Sequence, residues 1–409
     1  MKHILITILV CFTGMAVFAQ SADMSYFESE YNRPDATFVE RLEVLEVVRE
    51  AEITGIGDFY HDALRILLHR FPDVTTNPER TAAEASARIL AQALAAERHT
   101  AAAHDLWRTV QFFDIAFAQN DGLVMQDALV ALGQVDGRDY IPHIVQRLTD
   151  INTQATITDI ETRRRYQRAV VGLINALETF RDPSGFRPVF FVTVGWYDPA
   201  IRNMASLALP NIMEDPGEII AEIIRDPSIT PPIKYEAWRE MLRTRAPDES
   251  KARVAAVALA TGWIYSTPNP VFQRNLRELR VSAIDTIRAL GAVDESVYAD
   301  LVRSYNNNFV NPVPDYEEIR RTIACLSAIA SDQAVNILLG FLRELHGRRR
   351  VGPWSPRERQ VFQWVVPALG ATRTQIQDVR LLLMTIQRSS DYTGAEQGWA
   401  RDALRALSQ

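Results

Sequence analysis

The sequence predicts an all-α protein made of stacked antiparallel helix pairs. Beyond residue 36, apolar residues recur at spacings of three and four, as at Phe38, Leu42 and Leu45, and this is the period of an amphipathic helix. An Ala-Leu or Ala-Ile pair also closes a helical run at Ala93, Ala131, Ala176, Ala208, Ala289, Ala328, Ala368 and Ala406. The separations are 38, 45, 32, 81, 39, 40 and 38 residues. A period of about 40 residues, with one double interval, indicates repeated supersecondary units.

Length and composition fit a large folded body. The chain has 409 residues, of which 47% are hydrophobic and 23% are charged, so it can bury an extensive core. Its 18 glycines and 20 prolines exclude collagen-like and glycine-rich classes. The formal net charge of -7 argues against nucleic-acid binding, because proteins that bind phosphate backbones present basic surfaces. We also expect no membrane span, since no stretch reaches about 18 uninterrupted apolar residues.

Residues 1–19 have the pattern of a secretory signal peptide. Lys2 precedes a short apolar run, and Val17 and Ala19 are the small residues expected before a cleavage site. Cleavage between Ala19 and Gln20 would release an exported protein. We expect its compartment to be the bacterial periplasm.

The two cysteines bear on compartment and on chemistry. Lipoprotein signals need a small residue before the acylated cysteine, and Val10 precedes Cys11, so we do not expect lipid anchoring. Once Cys11 is removed, Cys325 has no cysteine to pair with, and the chain lacks an Asn-x-Ser/Thr sequon. Both facts suit a periplasmic protein. Cys325 stands three residues before Ala328, at a small-residue position of the repeat, so we expect it to pack between helices and not to act as a nucleophile.

The clearest repeat unit covers residues 125–150. Its first helix carries Ala128 and Ala131 where two helices approach closely, and Leu132 is predicted to point into the core. Gly133 is predicted to end this helix before a turn at Asp136 and Gly137. The second helix is predicted to be lined by Ile141, Ile144, Val145 and Leu148.

This unit resembles the HEAT repeat, and residues 201–210 resemble the family's first helix, with Arg202 three residues before Ala205. The resemblance implies an armadillo-type superhelix, that is, an α-solenoid of stacked antiparallel helix pairs. Because each pair buries only one face by itself, the pairs must stack. We therefore expect a single solenoid of about nine or ten helical pairs over residues 37–409, with a flexible leader over residues 20–36.

Two further segments complete the predicted architecture. Residues 188–194 have a strand-like composition but lie between helical segments, so we expect them to be the buried face of a helix. The final helix, over residues 395–408, is expected to cap the stack.

The sequence contains none of the common catalytic motifs. His-Glu-x-x-His, GxxxxGK[ST], G-x-S-x-G and Ser-x-x-Lys are all absent, as are the adjacent His-Glu pairs with which some HEAT-repeat enzymes hold metal. His99 and His104 would lie about 140° apart around a helix, and His61 and His69 would lie about 12 Å apart. We therefore predict no catalytic residue, no cofactor and no metal site.

Two runs of three arginines remain to be interpreted. Residues 163–165 are expected to be a solvated helix start. Arg348, Arg349 and Arg350 are predicted to lie with Trp354 in a loop over residues 347–356, and Arg and Trp often dominate the binding energy of interfaces. Either Trp354 covers a helix end while the arginines stay solvated, or these four residues contact an acidic partner surface.

A regular, extended surface without catalytic motifs favours a non-enzymatic scaffold that binds a protein partner in the bacterial envelope. Two alternatives stay open. One is an envelope enzyme or accessory factor whose site is assembled from loops of distant repeats. The other is a carrier of an apolar ligand in the superhelix groove.

Overall fold

A computed structural model describes residues 24–117, 119–154, 156–264, 267–291 and 294–408. These residues form 20 α-helices and no β-strand, which confirms the all-α prediction. They fall into two compact units: unit 1 runs to Met213, and unit 2 begins at Glu214. The predicted signal peptide, the cleavage site at Ala19 and Gln20, and Cys11 lie outside the described residues. That one continuous stack covers residues 37–409 stays a prediction.

Unit 1 is built from ten described helices. They are α1 (residues 24–32), α2 (Phe38–Glu50), α3 (Gly57–Arg70), α4 (Asn77–Ala96), α5 (Ala103–Phe112), α6 (Leu123–Gln134), α7 (Ile141–Asn152), α8 (Ile160–Phe180), α9 (Phe186–Val194) and α10 (Pro199–Ile212). The even-numbered helices pack on one another in order from α2 to α10. From α3 onward, each odd-numbered helix packs against the even-numbered helix that follows it. Unit 1 therefore contains a row of even-numbered helices, and the odd-numbered helices from α3 onward pack against this row.

Unit 2 repeats this arrangement with its own ten described helices. They are α11 (Gly217–Arg225), α12 (Pro231–Arg243), α13 (Asp248–Ile264), α14 (Pro270–Leu290), α15 (Ser296–Val310), α16 (Tyr316–Ile329), α17 (Asp332–Val351), α18 (Pro356–Ala371), α19 (Gln377–Arg388) and α20 (Gly394–Ala406). The even-numbered helices from α12 to α20 pack in order, and the odd-numbered helices from α11 to α19 do the same. Helix α20, which was predicted as a cap, packs on α18 and α19.

The eight Ala-Leu and Ala-Ile pairs mark the even-numbered helices. Each pair lies near the C-terminal end of α4, α6, α8, α10, α14, α16, α18 or α20. Helix α12 has no such pair, which explains the double interval of 81 residues. The pairs do not all serve close packing, however. Ala131, Ala176 and Ala208 are buried, whereas Ala289 and Ala328 are exposed.

The two helices of the unit predicted over residues 125–150 belong to different packing pairs in the structure, α6 with α5 and α7 with α8. Helix α6 packs on α4, α5 and α8, whereas α7 packs on α8 and α9. Helix α6 also ends at Gln134 and not at Gly133. Gly133 instead allows α6 and α8 to approach closely, because a Cβ on it would lie 3.3 Å from the Cα of Ala176 on α8. The turn occurs at Asp136, where φ is +60°.

Gly172 brings α6 and α8 together at a second point. A Cβ on this residue would lie 2.9 Å from the Cα of Gln126, closer than two such carbons can pack. Ala128 and Ala131 are buried in α6, as predicted. Small side chains thus set the distance between the two helices.

Two other predicted segments have different outcomes. Residues 188–194 are helical, as predicted, and lie in α9, where Val189 and Phe190 are buried. The flexible leader predicted over residues 20–36 is wrong for its described part, because residues 24–32 form α1. Tyr31 in α1 is fully buried and donates a hydrogen bond to the backbone oxygen of Ala63 at 3.3 Å. Aromatic burial anchors this segment to α3.

A buried polar network joins four helices of unit 2. Arg280 on α14 donates from Nε and Nη2 to both oxygens of Glu318 on α16, at 2.8 and 2.9 Å. Ser304 on α15 donates to the same carboxylate at 2.9 Å, and Trp263 on α13 donates to Ser304 at 2.8 Å. The guanidinium lies 3.8 Å from the centre of the Trp263 ring. Glu318 is fully buried, so its charge depends on these partners.

Replacing Leu132 tests the packing of unit 1. Leu132 is 0% exposed, so we expect Leu132→Ala to lower the free energy of unfolding by about 2–5 kcal/mol through lost contacts and a residual cavity. Leu207 on α10 is 66% exposed and gives the matched control, for which Leu207→Ala should cost less than about 0.5 kcal/mol. Urea unfolding followed by circular dichroism measures both. Similar losses would contradict the assigned core.

Replacing Glu318 tests the network of unit 2. Glu318→Gln leaves the guanidinium of Arg280 without its counter-charge, so we expect a loss of about 3–5 kcal/mol in the free energy of unfolding. The control is Glu236→Gln, because Glu236 pairs with Arg239 at 2.8 Å on the surface and should contribute less than about 1 kcal/mol. Equal losses in thermal unfolding would show that the buried network does not stabilise unit 2.

Candidate functional site

The predicted partner-binding arginines lie in a helix and not in a loop. Helix α17 continues to Val351, so Arg348, Arg349 and Arg350 form its last turn. Basic side chains are favoured there because the C-terminal end of a helix carries partial negative charge. The connection to α18 is only residues 352–355, so the loop predicted over residues 347–356 is wrong in its first half.

Arg348 is neutralised within unit 2. Its guanidinium pairs with Glu344 at 2.7 Å and with Glu358 at 3.3 Å, and it lies 5.2 Å from the centre of the Phe309 ring. The two carboxylates raise its pKa above the usual value. Glu358 also belongs to the capping box of α18. Arg348 therefore connects the end of α17 to the start of α18.

Arg349 and Trp354 are also engaged. Arg349 donates from Nε to the backbone oxygen of Asp391 at 2.6 Å, and its guanidinium lies 5.6 Å from the centre of the Trp354 ring. Trp354 donates from Nε1 to the backbone oxygen of Leu345 at 3.0 Å and packs edge-on against Tyr392 at 5.5 Å. Trp354 thus covers the end of α17. Arg350 is exposed and makes no hydrogen bond or ion pair with a described residue.

His346 places a titratable group next to this cluster. Its Nδ1 lies 2.7 Å from the hydroxyl of Tyr392, and the two rings are stacked. Burial lowers the pKa of His346, the positive charge of Arg350 lowers it further, and Asp391 opposes both effects. The folded protein therefore favours the neutral imidazole.

This depressed pKa predicts how unit 2 responds to acid. The ordinary pKa of the imidazole is 6.5. As the pH falls, His346 is therefore protonated at a higher pH in the unfolded chain than in the folded chain. The free energy of unfolding consequently decreases as the pH falls. The slope of the unfolding free energy against pH is proportional to the number of protons taken up on unfolding. We expect His346→Gln to reduce this slope between pH 5 and 7 by the equivalent of up to one proton. Denaturant titrations across this range measure it. Near pH 8 the difference in unfolding free energy between the wild type and His346→Gln should not change with pH. Identical slopes of unfolding free energy against pH below pH 7 would contradict the prediction.

A separate concave surface lies along the outer side of α16 and α18. This trough has a volume of about 690 Å³ and is lined by Arg288, Arg320, Ile323, Ala324, Ser327, Ala328, Ala330, Gln363, Trp364, Pro367, Ala368 and Ala371. Six of these twelve residues are alanine or serine. Trp364 is half-buried, and Arg288 and Arg320 are exposed.

The charges at the trough are only partly paired. Arg320 forms an ion pair with Glu317 at 3.0 Å. Arg288 on α14 makes no ion pair with a described residue. Trp364 meets the Tyr316 ring edge-on at 6.2 Å. The trough therefore offers a small-residue floor, one aromatic side chain and one cation without an ion-pair partner. Sequence reasoning missed it because it assigned the small residues to helix contacts.

In unit 1 the structure brings together histidines that helical spacing kept apart. The His61 and His99 rings lie 5.3 Å apart. Asp105 accepts from His61 at 3.0 Å and from Arg108 at 3.1 Å through its other oxygen. Both oxygens are therefore occupied by side chains of this unit. Among the described residues, no group of three or more His, Cys, Asp or Glu is arranged to hold a metal ion.

The remaining predicted residues lie in structural surroundings. Cys325 is buried in α16, and burial raises the pKa of its thiol to about 12, so at neutral pH it is a protonated packing residue, as predicted. The run 163–165 begins α8, but it is only partly solvated. Arg163 donates to the backbone oxygen of Trp196 at 3.2 Å, and Arg165 donates to that of Phe117 at 3.3 Å.

No protein-family model matches the chain, and no curated protein matches its sequence. Among the described helices, none combines the length and apolar character needed to cross a bilayer. The resemblance to HEAT repeats therefore rests on the sequence pattern of this chain alone.

Proposed function

We propose that the protein is a non-enzymatic scaffold that binds another protein through the trough of unit 2. The observation that carries the proposal is an exposed, alanine-floored depression that lies between two neighbouring even-numbered helices and is bordered by Arg288 and Trp364. A floor of small side chains lets a further helix approach closely. Arg and Trp are the residue types that contribute most when an interface buries them.

The chemistry of the trough defines the partner segment. Its small apolar floor suits the apolar face of an amphipathic helix, which is a common mode of helix-in-groove recognition. Arg288 at the rim suits a carboxylate beside that face. We therefore propose that the partner contributes an amphipathic helix with at least one acidic residue at its polar edge.

The proposal includes an α-solenoid of HEAT-like helix pairs that is exported to the bacterial periplasm. The two-layer packing of each unit and the placement of the Ala pairs on the even-numbered helices support the repeat. Residues 1–19 support export. The predicted contact at Arg348, Arg349, Arg350 and Trp354 stays a prediction. Its first two arginines and Trp354 already have partners inside unit 2, so the trough is the stronger candidate surface.

Blocking the trough tests the proposed function. Ala328 is exposed on its floor, so Ala328→Arg should fill the depression without disturbing the core, and Arg288→Glu should repel an acidic segment. We expect each change to reduce retention of the partner by at least about tenfold, because loss of one central contact costs about 1.4 kcal/mol or more. The measurement is affinity capture from the native envelope followed by mass spectrometry, with thermal unfolding of every variant.

The matched control is Ala395→Arg, which adds the same side chain at an exposed alanine of α20 that does not line the trough. It should retain the same protein as the wild type. Equal capture by the stably folded Ala328→Arg and Arg288→Glu variants would remove the trough from the binding surface. Failure of the wild type to retain any protein above background would contradict the scaffold itself.

A further inference from the structure

Unit 1 contains a buried arginine that forms no ion pair with a described residue. Arg41 on α2 is 1% exposed and lies 5.5 Å from the centre of the Tyr31 ring. It donates from Nη2 to the backbone oxygen of Arg33 at 3.0 Å. Its Nε and Nη1 atoms are buried and have no hydrogen-bond partner among the described residues. Because a guanidinium has five N–H donors, at least three of them are unused.

An unpaired buried charge is expensive and needs a physical explanation. Taking a guanidinium out of water costs several kcal/mol unless an opposite charge or hydrogen bonds replace the solvent. Arg41 forms no ion pair with a described residue and only one of the hydrogen bonds that water would supply. The second guanidinium, that of Arg70, repels it. Burial and Arg70 together hold the pKa of Arg41 below its ordinary value. Buried donors without a partner in the protein often mark a position where an ion, a ligand or a water binds.

Arg41 borders a cleft of about 580 Å³ that is strongly basic. The cleft, called here the basic cleft, is lined by Asn32, Arg41, Asp62, Arg65, Ile66, His69, Arg70 and Arg108. Asp62 is its only carboxylate and lies 3.5 Å from Arg65. Arg108 is paired with Asp105 at 3.1 Å. Arg70 donates to the backbone oxygen of Pro34 at 2.9 Å and forms no ion pair with a described residue.

A second cleft is lined by the same two arginines. It has a volume of about 360 Å³ and contains the carboxylates of Asp73 and Glu79. Glu79 is used by the backbone N–H of Phe38, which donates to it at 2.7 Å. Neither carboxylate forms an ion pair with Arg41 or Arg70. The negative charges of Glu40 and Glu79 favour the protonated form of Arg41, but burial outweighs them.

We propose that the basic cleft binds a small molecule that carries a phosphate group. Arg41 and Arg70 supply guanidinium donors, which match phosphate oxygens in geometry and charge, and Arg65 and His69 lie at the exposed edge. A doubly charged phosphate balances two arginines, whereas a single carboxylate balances one. The volume lies within the range of small-ligand sites. This site is in unit 1 and does not depend on the trough of unit 2.

The experiment titrates the full chain with inorganic phosphate at pH 7.5 in an isothermal calorimeter. Thermal unfolding is then compared in phosphate and in chloride at matched ionic strength. We expect one site per chain and a rise of about 3–6 °C in Tm at ten times Kd. Acetate at the same ionic strength should raise Tm much less. Free phosphate and an organic phosphate, phosphoserine, are compared, and tighter binding of phosphoserine would identify an organic ligand.

Three variants separate binding from folding. Arg41→Met keeps an apolar stem in the buried position, and Arg70→Gln changes a half-buried side chain, so one of them remains informative if the other does not fold. Each should weaken phosphate binding at least tenfold. Arg49→Gln removes an exposed arginine from the same helix and should bind within twofold of the wild type. In chloride, Arg41→Met should melt no lower than the wild type, because it removes an uncompensated buried charge.

Several results would overturn the proposal. Equal Tm values for the wild type in phosphate and chloride would show that no site exists. An equal rise in acetate would show that the cleft does not select phosphate. Binding by Arg41→Met and Arg70→Gln at the strength of the wild type would place the anion elsewhere.

Discussion

Each described helix of this chain can bury its apolar stripe only against its neighbours, and this constraint produces the two layers of each unit. The even-numbered layer shows why the spacing between helices matters. At Gly172 there is no space for a Cβ, and at Gly133 a Cβ would be tightly packed, so α6 and α8 approach closely through their backbones and bury long aliphatic side chains around the contact. The odd-numbered helices then cover the other side. Within each unit, every helix therefore contacts mainly the helices next to it in the row and in the chain.

The periodic features of the fold could be predicted, because period is a property that sequence carries directly. The Ala pairs located eight of the ten even-numbered helices, and the apolar run over residues 188–194 was assigned to a helix despite its composition. The pairing of α6 with α7 was wrong, because the apolar pattern of two successive helices is the same whether or not they pack together. The loop predicted at Arg348 was wrong because Gly347 does not end a helix that neighbouring helices stabilise.

The candidate sites depend on contacts between distant residues, and spacing along the chain does not contain them. Arg41, Arg280 and Arg348 are all arginines on helices, and nothing in their local sequence separates them. The difference lies in their partners. Glu318 neutralises Arg280 and Glu344 neutralises Arg348, whereas Arg41 has only a backbone oxygen and aromatic rings. A run of arginines in the sequence therefore does not indicate which guanidinium groups are left without a carboxylate partner in the fold.

The exposed alanines connect the fold to its proposed role. Where Ala131 and Ala176 are buried, small size permits two helices of the same chain to meet. The same sequence feature at Ala328 remains uncovered, since no described helix packs over that face of α16 and α18. A position that is small but not used for internal packing leaves room for an external helix, and the neighbouring Arg288 and Trp364 supply charge and contact area. In the proposed function, this surface consists of residues on the packed helices themselves, so a local change in side-chain size along them would form the binding surface without an added element.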